Sequence, residues 1–246
     1  MRVLITRPRD DSTTLARTLS KRGVDTVIEP LIEIVPRQAT LEIAGVQAVL
    51  LTSANGARAL AGVTGERRIK ILAVGDATAA AAAALGFGDV EAAEGDVAAL
   101  AALAHRRLDP RGGSLVHVAG SVVAGDLAGI LTSYGFSVRR ETLYEARAVT
   151  AFQPAIAAML RAGQIDGVAF FSPRTASAFV SLVTAADLAS AVRQLVGFCL
   201  SAAVADAASS LVWREVCVSP RPLQASLVEL IAAYSQGRKT ESKRSE

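Results

Sequence analysis

Short apolar runs alternate along this chain with longer segments whose apolar positions recur every three or four residues, the pattern of strands followed by helices. Residues 3–6 (VLIT) form the first run, closed by Arg7 and Pro8. Asp10, Asp11 and Ser12 then offer N-caps to a helix that carries Leu15 and Leu19 on one face and stops at Gly23. The pattern predicts a strand over 26–35, a strand over 48–51 with a helix opening at Ser53, and a strand over 69–74 with a helix over 76–85. A weak strand over 89–93 and a helix over 97–106 follow, before Asp109, Pro110, Gly112 and Gly113 break the run.

There the order begins again. A strand over 115–118, a helix over 122–134 stopped by Gly135, and an extended segment over 137–148 repeat the first thirty-odd residues in kind. Beyond them come a helix over 154–162, a strand over 168–171, a helix over 173–183, a strand over 196–200 and a helix over 202–211. A strand over 215–218 then leads to a helix opened by Pro222 at its first position and running to Tyr234. The fold class is therefore α/β, with parallel sheets flanked by helices.

Two segments define the domain organisation. Residues 28–35 (IEPLIEIV) align with residues 140–148 (RETLYEARA): Glu29 falls on Glu141, Leu31 on Leu143, Ile32 on Tyr144 and Glu33 on Glu145, all at a separation of 112 residues. Both are extended in character, and Pro30 and Pro36 bar a helix across the first. The expectation is a two-stranded connector, 28–36 with 140–148, crossed twice by the chain. It joins a discontinuous domain (1–33 plus 149–236) to a second domain (37–142), with 237–246 as a mobile tail. Where the first copy has Ile32 the second has Tyr144, which places a phenol at the mouth between the two bodies.

Composition narrows the function classes. Hydrophobic residues make up 51% of the 246, enough for two packed cores. The sequence pI of about 9.1 suggests nucleic acid, but Lys and Arg are dispersed and aromatic residues are only 4% of the chain, so a basic groove with stacking rings is not supported. Cys199 and Cys217 lie in apolar runs without CxxC spacing and read as buried, unbridged thiols. The N-terminal apolar run is too short for a signal peptide, and the longest uncharged run, 77–88, is a short alanine-rich helix. A cytoplasmic chain without membrane contact, acting as a monomer, is expected.

In an α/β chain of this class ligands gather beyond the carboxyl ends of the strands. The loops there are Thr6-Arg7-Pro8, Thr52-Ser53-Ala54-Asn55-Gly56, Gly75-Asp76-Ala77-Thr78, Ala119-Gly120-Ser121, Ser172-Pro173-Arg174-Thr175 and Ser201-Ala202-Ala203. They give Arg7, Ser53, Ala54, Gly75, Thr78, Gly120, Ser121, Ser172 and Ser201 as candidate contacts, a set of small and hydroxylic residues suited to an anionic ligand held by amides and hydroxyls. Ser53 and Ser172 also suit plain helix caps, and Tyr144 also suits a packing role in the connector. No GxxxxGK[ST] is present, residues 120–125 lack dinucleotide spacing, and neither His105 nor His117 has partners for a metal or for a serine nucleophile. No cofactor and no metal are therefore expected.

The LTSANGA and FFSPRTA loops, the VGDATA turn and the connector ending LYEA together resemble the uroporphyrinogen-III synthase (HemD-like) family, over nearly the whole chain. The resemblance implies two flavodoxin-like domains with a cleft between them, hydroxymethylbilane as substrate, and cofactor-independent cyclisation with loss of water and inversion of ring D. It also implies Tyr144 as the catalytic acid and Thr78 as a lining residue. Residues 201–205 (SAAVA) depart from the family's threonine-containing turn, with Val204 in place of a hydroxyl, so only Ser201 and the backbone can substitute there. A noncatalytic two-lobed binding module for an anionic metabolite is the alternative, and fold alone does not separate the two.

Overall fold

The structure, a computed structural model, describes residues 1–93, 95–121 and 125–242. In chain order the elements are β1 (Arg2–Ile5), α1 (Arg9–Ser20), β2 (Asp25–Ile28), β3 (Ile32–Pro36), β4 (Val46–Leu51), α2 (Ala54–Val63), β5 (Lys70–Ala73), α3 (Asp76–Ala84), β6 (Val90–Ala92) and α4 (Val97–Arg107). The second half continues with β7 (Ser114–Gly120), α5 (Leu127–Ser133), β8 (Val138–Ala148), α6 (Pro154–Arg161), β9 (Gly167–Phe170), α7 (Pro173–Ala185), α8 (Ala189–Val192), β10 (Val196–Cys199), α9 (Ala202–Ala208), β11 (Glu215–Val218) and α10 (Gln224–Ser242). The α/β class with parallel sheets and flanking helices is as the sequence pattern indicates.

The chain divides into two compact units, Met1–Glu33 together with the chain from Arg147 onward, and Ile34–Ala146. The first holds a five-stranded sheet in the order β11-β10-β9-β1-β2, parallel at every neighbouring pair. The second holds a six-stranded sheet, β3-β8-β7-β4-β5-β6, parallel from β8 to β6. Numbered within its own unit, the first sheet runs 2-1-3-4-5, the flavodoxin-like order. If β7 and β8 are counted as strands 1 and 2 and β4, β5 and β6 as strands 3 to 5, the second sheet has the same order, with β3 added at its edge.

The 112-residue repeat is visible in the strand register. Val3 pairs with Thr26 and Ile5 with Ile28; 112 residues on, Leu115 pairs with Val138 and His117 with Arg140. Central strands buried on both faces carry continuous apolar runs. Val3 and Ile5 enter one core of the first unit, with Leu15, Leu19 and Ile231, while Leu4 enters the other, with Phe170 and Phe179. In the second unit Ala48 and Leu50 face Leu72 and Leu115, and Val49 and Leu51 face Leu60 and Val116. Truncating one of these leucines to alanine would cost about 2–5 kcal/mol.

Several elements differ from the sequence pattern, each for a local reason. The strand expected over 26–35 is two strands, because Pro30 has no N–H to continue a ladder and β2 ends at Ile28 before β3 begins at Ile32. The helix expected from residue 122 begins at Leu127: Asp126 accepts the Gly129 N–H at 2.9 Å and caps it, and residues 122–124 lie outside the described residues. Neither Asp10 nor Asp11 caps α1, which starts after Pro8 without a side-chain cap and carries both acids in its first turn. The last helix opens at Gln224, beyond Pro222, and continues to Ser242 through most of the segment expected as a mobile tail; residues 243–246 lie outside the described residues.

Glu29, at the end of β2, is 2% exposed. Its Oε1 accepts the Gln153 N–H at 2.8 Å, tying β2 to the start of α6, while Oε2 has no partner. Burial raises its pKa above the ordinary carboxylate value, against the opposing pull of the Gln153 hydrogen bonds and the Arg9 charge. A folded-state pKa above the unfolded one means that the protonated acid is favoured by folding: that contribution is present below the unfolded value and is lost as pH rises through the folded one. Glu29→Gln removes the titration while keeping an acceptor for Gln153. The melting temperature of the variant relative to wild type is expected to rise from pH 4 to pH 7, and an offset independent of pH would show that the carboxyl carries no such strain.

Candidate active site

The switch point of the second sheet lies between β7 and β4, where the strand order reverses and the loops after the two strands diverge. Ser53 follows β4 and caps α2, its Oγ accepting the Gly56 N–H at 3.0 Å. The same Oγ lies 2.9 Å from the Tyr144 hydroxyl, a geometry in which either hydroxyl can donate. Tyr144 is 8% exposed.

The tyrosine reaches that position through a register shift. Against β7, the partners of β8 run in step as far as Ala119 with Thr142, and then skip Leu143, so that Gly120 faces Tyr144. The Tyr144 ring lies on the bare backbone of Gly120: a Cβ there would stand 2.7 Å from Cε2 and 2.9 Å from Cζ. The Ser121 N–H donates to the Tyr144 carbonyl at 3.1 Å, and Arg140 Nη2 donates to the carbonyls of Gly120, at 2.9 Å, and Ser121, at 3.4 Å. Gly120 and Ser121, at the end of β7, are thus held from both sides.

Beneath it His117 is buried, with Nε2 3.3 Å from Thr52 Oγ1. Burial, and secondarily the Arg140 charge, push its pKa down to about 4, so at neutral pH the ring is uncharged and suited to hydrogen bonding rather than to donating a proton in acid catalysis. Elsewhere in this unit Ala54 is the first residue of α2, Gly75 is the N-cap of α3 and supplies no side-chain cap, and Thr78 is buried in the first turn of α3.

The first unit has its own switch point, between β1 and β9. Arg7 follows β1: its Nη2 meets Asp11 Oδ2 at 3.1 Å, its Nη1 donates to Gln224 Oε1, and its guanidinium lies 4.8 Å from the centre of the Phe171 ring. Asp11 is therefore a partner for Arg7 rather than a helix cap. Ser172 caps α7, accepting the Thr175 N–H at 3.2 Å, with its Oγ 2.8 Å from Thr175 Oγ1. Ser201 stands at the N-cap of α9 and makes no side-chain cap hydrogen bond. Cys199 and Cys217 are free, and burial first of all raises each thiol to about 11, so neither is a thiolate at neutral pH. Among the described residues no group of three or more His, Cys, Asp or Glu side chains could hold a metal ion, and no helix is long and apolar enough to cross a membrane.

Of the residues expected from sequence, Ser53, Gly120, Ser121 and Tyr144 come together at one switch point, and Arg7 and Ser172 flank the other. Thr52, His117 and Arg140 were not among the expected contacts. Their signal in the sequence is only that His117 and Thr52 sit near the ends of adjacent strands.

A family model described as uroporphyrinogen-III synthase HemD matches residues 13–229. The chain belongs to that family. No curated protein matches it in sequence. The uroporphyrinogen-III synthetase of Helicobacter pylori 26695 superposes with a TM-score of 0.62 at 13% identity, over 95% of this chain and 100% of that one. A mutant uroporphyrinogen III synthase of the extremely thermophilic bacterium Thermus thermophilus gives 0.50 at 17% identity, over 96% and 99%. At these identities the structures speak for the shared α/β fold alone. The family match, which spans both units, favours an enzyme of tetrapyrrole biosynthesis over a noncatalytic binding module.

In this uroporphyrinogen-III synthase family member His117 makes the site sensitive to acid. The unfolded chain takes a proton on His117 near its ordinary pKa and the folded one only near 4, so the stability it contributes is fully present above about pH 6.5 and is lost as pH falls toward 4. Between pH 7 and 5 the loss is about 2 kcal/mol. Chemical denaturation at the two pH values is expected to show a smaller drop for His117→Gln than for wild type; equal drops would mean that the imidazole titrates in the fold as it does in the open chain.

Proposed function

We propose that this chain is a uroporphyrinogen-III synthase, a lyase that closes the linear tetrapyrrole hydroxymethylbilane to uroporphyrinogen III with loss of water and inversion of ring D. The observation that carries the reading is the family match over residues 13–229. The geometry at the second unit's switch point supports it, because a phenol and a serine hydroxyl meet there on a glycine platform.

The chemistry asks little of the protein beyond placement and one proton. The C–O bond of the hydroxymethyl group breaks, and the hydroxyl leaves as water after taking a proton. Electron density from the attached pyrrole nitrogen stabilises the resulting azafulvene. The substituted α-carbon of the distal ring attacks this carbon to form a spiro intermediate, which fragments and recloses with that ring inverted, and a proton lost from carbon balances the one consumed. Tyr144 is the proposed acid: phenols keep their proton at neutral pH and stay neutral beside a polyanion, where a carboxylate would repel it. Ser53, Ala54, Gly75, Thr78, Gly120 and Ser121 in one unit, and Arg7, Ser172 and Ser201 in the other, are the proposed contacts to the substrate's carboxylates and pyrroles. Each neutral contact is worth about 0.5–1.5 kcal/mol, so affinity is shared among many of them.

Wild-type protein incubated with hydroxymethylbilane is expected to yield the type III product, separable from the type I isomer that forms by simple closure; type I alone would end this reading. Tyr144→Phe keeps the ring and its packing on Gly120 and removes the proton. Its kcat is expected to fall about a hundredfold or more with little change in stability. The residual product should remain mostly type III, because ring inversion depends on how the substrate is held. A near-normal kcat would take Tyr144 out of the chemistry.

A further inference from the structure

We propose that Ser53 is a positioning residue for Tyr144: its hydroxyl donates to the phenol oxygen and so leaves the phenol's own proton directed at the substrate. This rests on the reading of Tyr144 as the acid and specifies what makes it one.

The argument begins with what each oxygen has left to give. A serine hydroxyl offers one proton and two lone pairs. In Ser53 one lone pair is committed to the Gly56 N–H at 3.0 Å, and the remaining contact is the Tyr144 oxygen at 2.9 Å. Were the phenol to donate in that contact, its proton would be spent inside the protein and could not reach a leaving hydroxyl. Donation by Ser53 leaves it free, and the same hydrogen bond strengthens as the phenol oxygen gains negative charge during transfer.

The repeat supplies an internal contrast. Ser172 occupies the same place after β9 and caps α7 in the same way, yet its hydroxyl is engaged by Thr175 Oγ1 at 2.8 Å, three residues on. The corresponding residue after Ser53 is Gly56, with no side chain to compete, and a Cβ there would come 3.3 Å from the Val118 carbonyl and 3.6 Å from Ser53 Oγ. Glycine at 56 thus leaves the Ser53 hydroxyl to Tyr144. The ring is fixed in turn: it lies on Gly120, and its backbone carbonyl is tied to the Ser121 N–H. Two glycines and one serine define where the phenol oxygen sits and which way its proton points.

The test is a double-mutant cycle on kcat and KM with hydroxymethylbilane, using the full chain: wild type, Ser53→Gly, Tyr144→Phe and the double variant. Glycine is chosen because it serves at a helix N-cap almost as well as serine, so the start of α2 survives while the hydroxyl is lost. Ser53→Gly alone is expected to lower kcat about ten- to a hundredfold, the loss of one hydrogen bond to a group gaining charge, beyond whatever KM change follows from its place among the substrate contacts. In the Tyr144→Phe background the same change should cost nothing further, and Ser53→Thr, which restores a hydroxyl, should recover most of the wild-type kcat. An equal loss from Ser53→Gly in both backgrounds, or a loss in KM alone, would overturn the proposal and make Ser53 an ordinary substrate contact, with Tyr144 still the acid. A near-normal kcat for Tyr144→Phe by itself would overturn the acid reading, and this one with it.

Discussion

Along β7 and β8 the two strands keep step from Leu115 with Val138 to Ala119 with Thr142, and then lose it by one residue at Leu143. A parallel ladder that kept step would set Leu143 opposite Gly120. With the slip, Leu143 enters the core with Val116 and Val118, and Tyr144 falls opposite Gly120, where its ring can lie against bare backbone. The shift is stabilised at both of its edges: the Ser121 N–H bonds the Tyr144 carbonyl, and the Arg37 N–H bonds the Leu143 carbonyl at 2.8 Å. The contact with Ser53, the platform at Gly120 and the position of the phenol oxygen all depend on that one extra residue.

The matching segment 112 residues earlier takes another course. Glu29 and Leu31 still donate backbone N–H groups to the Ile5 and Thr6 carbonyls, but Pro30 between them cannot, and β2 ends. After that break the chain crosses into β3, which lies beside β8. The second copy has Thr142 where the first has Pro30, and its strand continues to Ala148. One substitution at the repeat's midpoint thus separates a strand that stops from a strand that runs on and sets a tyrosine opposite the last residue of its neighbour. Glu29 is what remains at the stop: a buried carboxylate that fastens β2 to the first turn of α6, with one oxygen left unpartnered.

Much of this was legible in the sequence because it rests on local patterns. Apolar runs buried on both faces marked the central strands, and the 112-residue spacing of Glu29, Leu31 and Ile32 anticipated a register that the two strand pairs share. Serines opening helices after β4 and β9 were readable as caps, and both are. What was not legible depends on competition between neighbours. Asp126 caps α5 by accepting the Gly129 N–H, whereas Asp11 pairs with Arg7 and does not cap α1. A bulge leaves no mark in hydrophobic periodicity until the partner strand is known, so the sequence could offer Tyr144 and Gly120 as candidates but not as a stacked pair. The engagement of the Ser53 hydroxyl was hidden for the same reason, since it turns on the absence of a side chain at position 56.

The electrostatics of the two switch points follow from how their charges are already committed. Arg7 is held by Asp11, Gln224 and the face of Phe171. Arg140 is directed at two backbone carbonyls, and burial keeps His117 neutral. A cation with a committed counter-ion offers an incoming carboxylate only the difference between two pairings, whereas a backbone N–H or a hydroxyl offers its bond without giving up an ion pair. In the proposed function such groups would hold a polyanion through many small terms, while the Arg140 guanidinium beside Gly120 stays bonded to two backbone carbonyls. The acid proposed above, Tyr144, has a serine hydroxyl 2.9 Å away, a neutral dipole placed to respond as charge develops on the tyrosine oxygen.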